Sequence, residues 1–167
     1  MKFNLRKAKK DEINKAFAMF KAAAESIAKK NIDHWQYWKN PPQEKIAWVQ
    51  EGFEKEEFFF IESQQQEIIG MLRILEEDLR YWGKTTAKAK YIHSLVVLEK
   101  FTGKNIGQKI LQKIAEEAKK QDFEYLRLDC EAKNTKLCNY YQQQGFIKVG
   151  EQKLGGSFYN LYQKKTD

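Results

Sequence analysis

The segment Tyr91-Ile92-His93-Ser94-Leu95-Val96-Val97-Leu98, running into Thr102-Gly103-Lys104-Asn105-Ile106-Gly107-Gln108, is the first place where residue types and spacing suggest chemistry. An apolar run, a glycine-containing turn and then helical spacing aim the free backbone N–H groups of a first helical turn at one spot. The positive end of the helix adds to them, so phosphate oxygens can bind without any side-chain motif. Lys104 and Lys109 bring further positive charge. An ordinary strand-to-helix turn has the same glycine content. Two phosphate loops are excluded by spacing. A Walker A loop puts four residues between its glycines and follows with Gly-Lys-Ser/Thr, whereas Gly103 and Gly107 enclose three and Gln108-Lys109-Ile110 comes next. A dinucleotide fingerprint opens the first βαβ unit and reads GxGxxG, and this turn does neither.

A proton acceptor can be sought on the same strand. His93 can exchange a proton near neutral pH. Strand alternation places Tyr91, His93, Leu95 and Val97 on one face, where His93 is equally readable as a packed sheet residue. Glu62, at the end of its own strand, is a second candidate. Asp33, His34, Trp35, Tyr37 and Trp38, with Tyr81 and Trp82 further on, form an aromatic set with a carboxylate that suits a cation. The same rings can instead staple helices to a sheet.

These residues need elements to hold them. Phe3 to Arg6 reads as a strand. Ile13, Phe17, Phe20, Ala24 and Ile27 recur at helical spacing after a possible N-cap at Asp11 and before a stop at Asn31. Pro41-Pro42 breaks the chain, and a second helix buries Ile46, Val49 and Phe53. Phe58-Phe59-Phe60-Ile61 is the continuous apolar run of a strand covered on both faces, and Ser63 to Gln66 turns it into an antiparallel partner, Glu67 to Leu75. A charged irregular connection, Glu76 to Lys90, precedes the strand Tyr91 to Leu98. A helix follows from about Lys104 to Lys120, with Ile106, Ile110, Leu111, Ile114 and Ala118 inward. Then come the strand Tyr125 to Cys130, the helix Asn134 to Gln144, and two closing strands from Gly145 and Ser157. The order β-α-α-β-β-β-α-β-α-β-β predicts an α/β chain with a mixed, mostly antiparallel sheet of about seven strands flanked by about four helices. No repeat or low-complexity linker divides it, so a single domain over residues 1–167 is expected.

Composition bounds the function classes. Hydrophobic content of 42% and aromatic content of 14% exclude a disordered chain. The net charge of +7 fits an anionic partner or a solvated lysine-rich surface. No dense basic run forms a nucleic-acid arm, and Lys and Glu are interspersed through the helices. With two cysteines and no CxxC pair, neither a disulfide scaffold nor a zinc site is expected, and no metal is called for. The amino-terminal Met1-Lys2-Phe3-Asn4-Leu5-Arg6 has no signal-like apolar stretch, and no run is long enough to span a bilayer. A cytoplasmic protein without membrane or nucleic-acid partners is expected.

At this point the sequence resembles a known superfamily. Tyr91 to Val97, the glycine turn and the following helix look like motif A of the GNAT N-acetyltransferases. Leu126-Arg127-Leu128-Asp129-Cys130, Asn134, Leu137, Tyr141 and Gly145-Phe146 are similar to motif B. The resemblance implies an acetyl-coenzyme A-dependent acyltransferase in which an amine attacks the thioester directly. It further implies that backbone N–H groups of Leu95-Val96-Val97 serve the oxyanion beside a strand bulge. Thr102, Gly103, Lys104, Asn105, Ile106, Gly107 and Gln108 would hold the diphosphate. Asn134 would contact the pantetheine arm, or cap its helix, or both. Tyr141, about two helical turns beyond Asn134, would protonate the leaving thiolate. The family's loop usually begins with Arg or Gln and carries glycine where Asn105 stands; Asn also tolerates left-handed backbone. The bases of the family vary, so the resemblance selects neither His93 nor Glu62. Family acceptor pockets arise near the first helices, which singles out Trp35, Trp38, Tyr81 and Trp82. The acceptor implied is a small-molecule amine, with a protein N-terminus or lysine as the alternative; a non-catalytic acyl-coenzyme A sensor is the other reading, and a homodimer is possible by analogy.

Overall fold

The computed structural model describes residues 1–167. Its elements are β1 (Phe3–Lys7), α1 (Ile13–Ala28), α2 (Gln43–Glu54), β2 (Phe58–Ser63), β3 (Ile68–Leu75), β4 (Ala89–Val97), α3 (Ile106–Lys120), β5 (Tyr125–Glu131), α4 (Thr135–Gln143), β6 (Ile147–Leu154) and β7 (Ser157–Lys165). This is the predicted order. The seven strands form one sheet in the order β1-β2-β3-β4-β5-β7-β6. The β4–β5 pairing is parallel, and parallel strands need a crossover, here α3. The final hairpin docks by its second strand, so β7 lies between β5 and β6. The chain divides into two compact units, one of Met1–Ile74 with Ser94–Ile106, the other of Leu75–His93 with Gly107–Asp167.

In the first unit, α1 contributes Ala16, Met19, Phe20 and Ala24 to a core shared with Val49, Phe53, Phe58, Phe60, Met71 and Val96. Trp38 belongs there too: it is 4% exposed and stacks on Phe20 with ring centroids 3.9 Å apart. That corrects its placement in an acceptor pocket, because a ring 4% exposed and stacked on Phe20 can offer nothing to a ligand without unpacking. The start of α1 also differs from expectation. Asp11 is exposed and does not cap. Glu12 stands at the start of α1 but makes no side-chain cap to it either; its Oε2 accepts the Lys9 backbone N–H at 2.9 Å in the turn just before the helix, and its two carboxylate oxygens accept the Arg6 guanidinium at 2.9 and 3.0 Å. Charge at that end of a helix is favoured. Asn31, at φ 57°, ends the helix as expected.

In the second unit the α3 stripe Ile110, Leu111, Ile114 and Ala118 is buried as the spacing predicted. Along β5 burial alternates: Leu126, Leu128 and Cys130 are inside, and Arg127, Asp129 and Glu131 lie on the other face. The Cys130 and Cys138 sulfurs are 3.3 Å apart, both residues are buried, and burial pushes the Cys130 thiol up. A thiol kept protonated in this way is a poor nucleophile. No helix is long and apolar enough to cross a membrane.

Candidate functional site

The parallel ladder of β4 on β5 runs only from Ala89↔Tyr125 to Tyr91↔Arg127. Both strands continue beyond it, β4 to Val97 and β5 to Glu131. Past Tyr91, β4 changes character. Ser94 has φ 55°, a left-handed conformation that interrupts alternation, so the irregularity lies one residue before the Leu95-Val96-Val97 segment where it was expected. Val96 then turns into the core while Leu95 and Val97 stay part-exposed. Gly70 of β3 makes this possible, since a Cβ there would stand 2.2 Å from the Val96 carbonyl oxygen. A glycine inside a strand signals such close backbone approach, and this one was missed in the sequence.

The turn ahead of α3 is built on left-handed residues. Gly103 has φ 84° and Asn105 φ 56°, which is the conformation expected of an asparagine standing for glycine. Thr102, Gly103, Lys104 and Asn105 are exposed and Ile106 is buried. The Thr102 hydroxyl donates to the Glu99 carbonyl at 2.7 Å, so this side chain serves its own loop. Gly107 lets α4 come close: a Cβ there would meet the Tyr140 hydroxyl at 2.7 Å. Gln108 and Lys109 are exposed on the first turn of the helix.

On α4, Asn134 is the N-cap, its Oδ1 accepting the Leu137 N–H at 3.3 Å. Tyr141 packs edge-on against Tyr140 at 5.6 Å and Phe146 at 5.9 Å. Burial, with the neighbouring Cys130 as a smaller cause, pushes its phenol up, so at neutral pH the hydroxyl keeps its proton. Cys138 of the same helix touches Cys130, which places α4 on the face of β5 opposite Asp129.

The remaining chemistry gathers around His93, on Asp129's face. His93 Nε2 lies 2.7 Å from Asp78 Oδ2, and Nδ1 lies 3.6 Å from Asp129 Oδ2. The side chains of His93, Asp78 and Asp129 are 12%, 4% and 11% exposed. Asp78 is held by the connection between β3 and β4, where its Oδ1 accepts the Tyr81 N–H at 3.1 Å. The Tyr81 ring packs on His93 at 5.5 Å and edge-on against Tyr159 at 5.3 Å. Asp129 Oδ2 is buried with no hydrogen-bond partner. Burial pushes its carboxyl up to about 6, with the Asp78 charge adding to the rise and His93 and Arg80 opposing it.

The donor atoms of this trio fall within 4.8 Å of one another. A single ion cannot take both nitrogens of one imidazole, however, and here the ring stands between the carboxylates with a different nitrogen toward each. The ring is held by Asp78 through Nε2 and turns Nδ1 toward Asp129 at 3.6 Å, so as placed it does not offer one nitrogen to both acids.

The other candidates lie elsewhere. Glu62 is ion-paired with Arg6. Trp35, in left-handed backbone at φ 62°, packs edge-on against Phe20. Trp82 lies under the Arg127 guanidinium at 4.6 Å and packs edge-on against Tyr91 at 5.8 Å. Neither Asp78 nor Asp129 was singled out from sequence. The alternation of β5 could have shown Asp129 facing away from its buried leucines; nothing local marks Asp78.

Residues 26–146 match the family described as Acetyltransferase (GNAT) family. A curated relative from Bacillus subtilis (strain 168), the uncharacterized N-acetyltransferase YesJ, is 26% identical over 111 residues, 64% of this chain. The match spans 60% of that relative's length. A GNAT-family acetyltransferase structure from Listeria monocytogenes 4b F2365 is similar with TM-score 0.79 at 21% identity, covering 98% of this chain and 94% of the other. Spermidine N-acetyltransferase from Vibrio cholerae, solved in complex with CoA and spermine, is similar with TM-score 0.67 at 14% identity, covering 98% and 95%.

Proposed function

The chain belongs to the GNAT acetyltransferase family, and from that premise we propose that it transfers an acetyl group from acetyl-coenzyme A to a primary amine of a small molecule. The observation that carries this reading is the turn at the head of α3. Left-handed Gly103 and Asn105 expose the peptide groups of Thr102 to Asn105 and lead into a helix N-terminus, a disposition suited to diphosphate oxygens. The residues there fit the group: Thr102 to Asn105 are exposed, and Lys104 and Lys109 supply charge.

Each residue has a task in this reading. Peptide N–H groups of Leu95 to Val97 donate to the oxyanion that forms as the amine adds to the thioester carbonyl. Val96, held by the close approach of Gly70, fixes that segment. Asn134 orders the start of α4, and Tyr141, kept protonated by burial, donates its phenolic proton to the departing sulfur. The incoming ammonium gives up its proton on the His93 side of β5. The β4–β5 ladder stops at Tyr91↔Arg127, so the edge of β5 beyond it is free of that pairing. Tyr81 and Tyr159 present aromatic faces and edges near His93, a setting favourable to a cationic acceptor.

Calorimetry with acetyl-coenzyme A, followed by thiol release across an amine panel headed by spermidine, tests the reading. Saturable binding and turnover with at least one amine are expected. Tyr141→Phe should cut kcat by about a hundredfold with acetyl-coenzyme A affinity intact. Tight binding with no thiol released from any amine would instead favour an acyl-coenzyme A sensor.

A further inference from the structure

Resting on the acetyltransferase reading, we propose that Asp129 receives the acceptor's ammonium group and takes its proton, with His93 and Asp78 as positioning residues that carry the proton onward. A buried carboxylate oxygen without a hydrogen-bond partner is costly, and structural acids avoid that state. Asp129 Oδ2 is in it. Its own strand offers no relief, because Arg127 is spent on Gln163 Oε1 at 2.8 Å and on the Tyr91 hydroxyl at 3.0 Å. An ammonium with several N–H donors is the complement the oxygen lacks.

The rest of the chain is set behind it. Asp78 Oδ2 fixes the orientation of the His93 ring through Nε2, which turns Nδ1 toward Asp129 Oδ2 at 3.6 Å. Asp78 is in turn fixed by the Tyr81 N–H. The charged and titratable groups around Asp129 are His93 on β4, Asp78 and Arg80 in the β3–β4 connection, Cys130 on its own strand, Tyr141 on α4 and Tyr159 on β7. Among these, His93 alone presents a nitrogen able to take a proton from the carboxyl.

The step balances. An N–H bond of the ammonium breaks, the proton passes to Asp129 and on to His93 Nδ1, and the freed lone pair forms the C–N bond to the acetyl carbon. The C–S bond breaks and sulfur leaves with its electron pair, taking the Tyr141 proton. The second proton lost by the now-acylated nitrogen restores the phenol, and the proton on His93 returns to solvent. The net products are amide, free thiol and one proton.

The test compares spermidine, cationic at neutral pH, with hydroxylamine, which is already unprotonated there. For Asp129→Asn the expected result is a loss of about a hundredfold or more in kcat/KM for spermidine, disappearance of the acidic limb of its pH profile, and unchanged affinity for acetyl-coenzyme A. With hydroxylamine the loss should shrink to less than about tenfold, since no proton has to be removed before attack. His93→Gln and Asp78→Asn should displace the acidic limb without abolishing it. Equal losses for the two acceptors, or a variant that keeps its acidic limb, would overturn the assignment and leave the acetyltransferase reading in place. Carbon-13 NMR of the Asp129 carboxyl in the free protein gives a readout without turnover. The carboxyl should titrate well above an ordinary aspartate and move in His93→Gln, and an ordinary, unresponsive titration counts against the proposal. A wild type that releases thiol with neither acceptor counts against the enzymatic reading itself and takes this assignment with it.

Discussion

Arg73, in the first unit, and Asp129, in the second, are both charged side chains withdrawn from water, at 2% and 11% exposure. Arg73 is saturated. Its Nε donates to Glu57 Oε2 at 2.8 Å, its Nη1 to the Trp48 carbonyl at 2.8 Å, and its guanidinium lies over the Trp48 ring at 4.4 Å. Room for it is made by Gly52, where a Cβ would stand 2.9 Å from Nε. Asp129 has a histidine at 3.6 Å, which is an ion-pair distance too long for a hydrogen bond, and an oxygen with nothing bonded to it. The fold can satisfy a buried charge completely, as it does once. Where it does not, as at Asp129 Oδ2, the buried oxygen costs the folded state, and the ammonium proposed for it would supply the missing donor.

The contrast can be broken most forcefully at Arg73. Replacing it with Met leaves Glu57 and the Trp48 carbonyl without their donors in a sealed environment, and breaking a buried pair by removing one partner costs about 3–5 kcal/mol. Denaturant unfolding should show that loss, with acetyl-coenzyme A affinity per folded molecule retained. A loss under about 1 kcal/mol would mean that the pairing is no better than a surface ion pair.

Asp129→Asn should behave in the opposite sense. Burial raises its carboxyl from 3.8 to about 6, so the native state binds a proton that the unfolded state releases. The associated stability is complete below about pH 4 and is lost as pH rises through about 6. The neutral amide escapes that loss. The variant should therefore gain on the wild type by about 2–3 kcal/mol between acid and neutral pH, in the same protein whose turnover it is expected to destroy. Equal pH dependence for the two would erase the contrast with Arg73.

Much of this architecture was legible beforehand, and the reason lies in the periodicity. The α3 stripe and the alternation of β5 follow from spacing alone, because one buried face dictates where apolar residues fall. Asn105 could be read as a left-handed position because few other side chains tolerate it. What could not be read were juxtapositions across distance in the chain. Asp78 reaches His93 only because an irregular connection folds back over the sheet, and irregular backbone has no period to betray it. Trp38 shows the converse failure: an aromatic residue beside a carboxylate and a histidine looks like a cation site until the Phe20 ring is found stacked on it. An irregularity was expected at Leu95-Val96-Val97; the left-handed residue is Ser94, just before it, and the close approach of Gly70 to Val96 comes from another strand, which spacing in β4 cannot show.

Glu12 offers the smallest and most selective test of what saturation is worth. It resembles Arg73 in being fully engaged, with Arg6, the Lys9 N–H and Lys15 Nζ at 3.0 Å all donating to it, yet it sits nearer to water. The Arg6 hydrogen bonds, the largest cause, hold its carboxyl down at about 2. Here the native state favours the ionised form, so the stability is present above the ordinary glutamate value and drains away as pH falls toward about 2. Since Arg6 is 32% exposed and Lys15 55% exposed, solvent screening reduces the yield, and Glu12→Gln should cost about 1–2 kcal/mol at neutral pH. Part of that cost is the hydrogen bond from the Lys9 N–H, which an amide oxygen can still accept, so Glu12→Ala should lose about 1 kcal/mol more than Glu12→Gln. The wild type's advantage over Glu12→Gln should vanish as pH falls toward about 2, whereas its deficit against Asp129→Asn should vanish as pH falls from about 6 to about 4. Stabilities measured through one pH series, taken as wild type minus variant, should therefore be positive at neutral pH for Glu12→Gln and negative for Asp129→Asn, each returning to zero in acid. Parallel curves would show that the satisfied and the unsatisfied carboxylate do not differ in the way their surroundings demand.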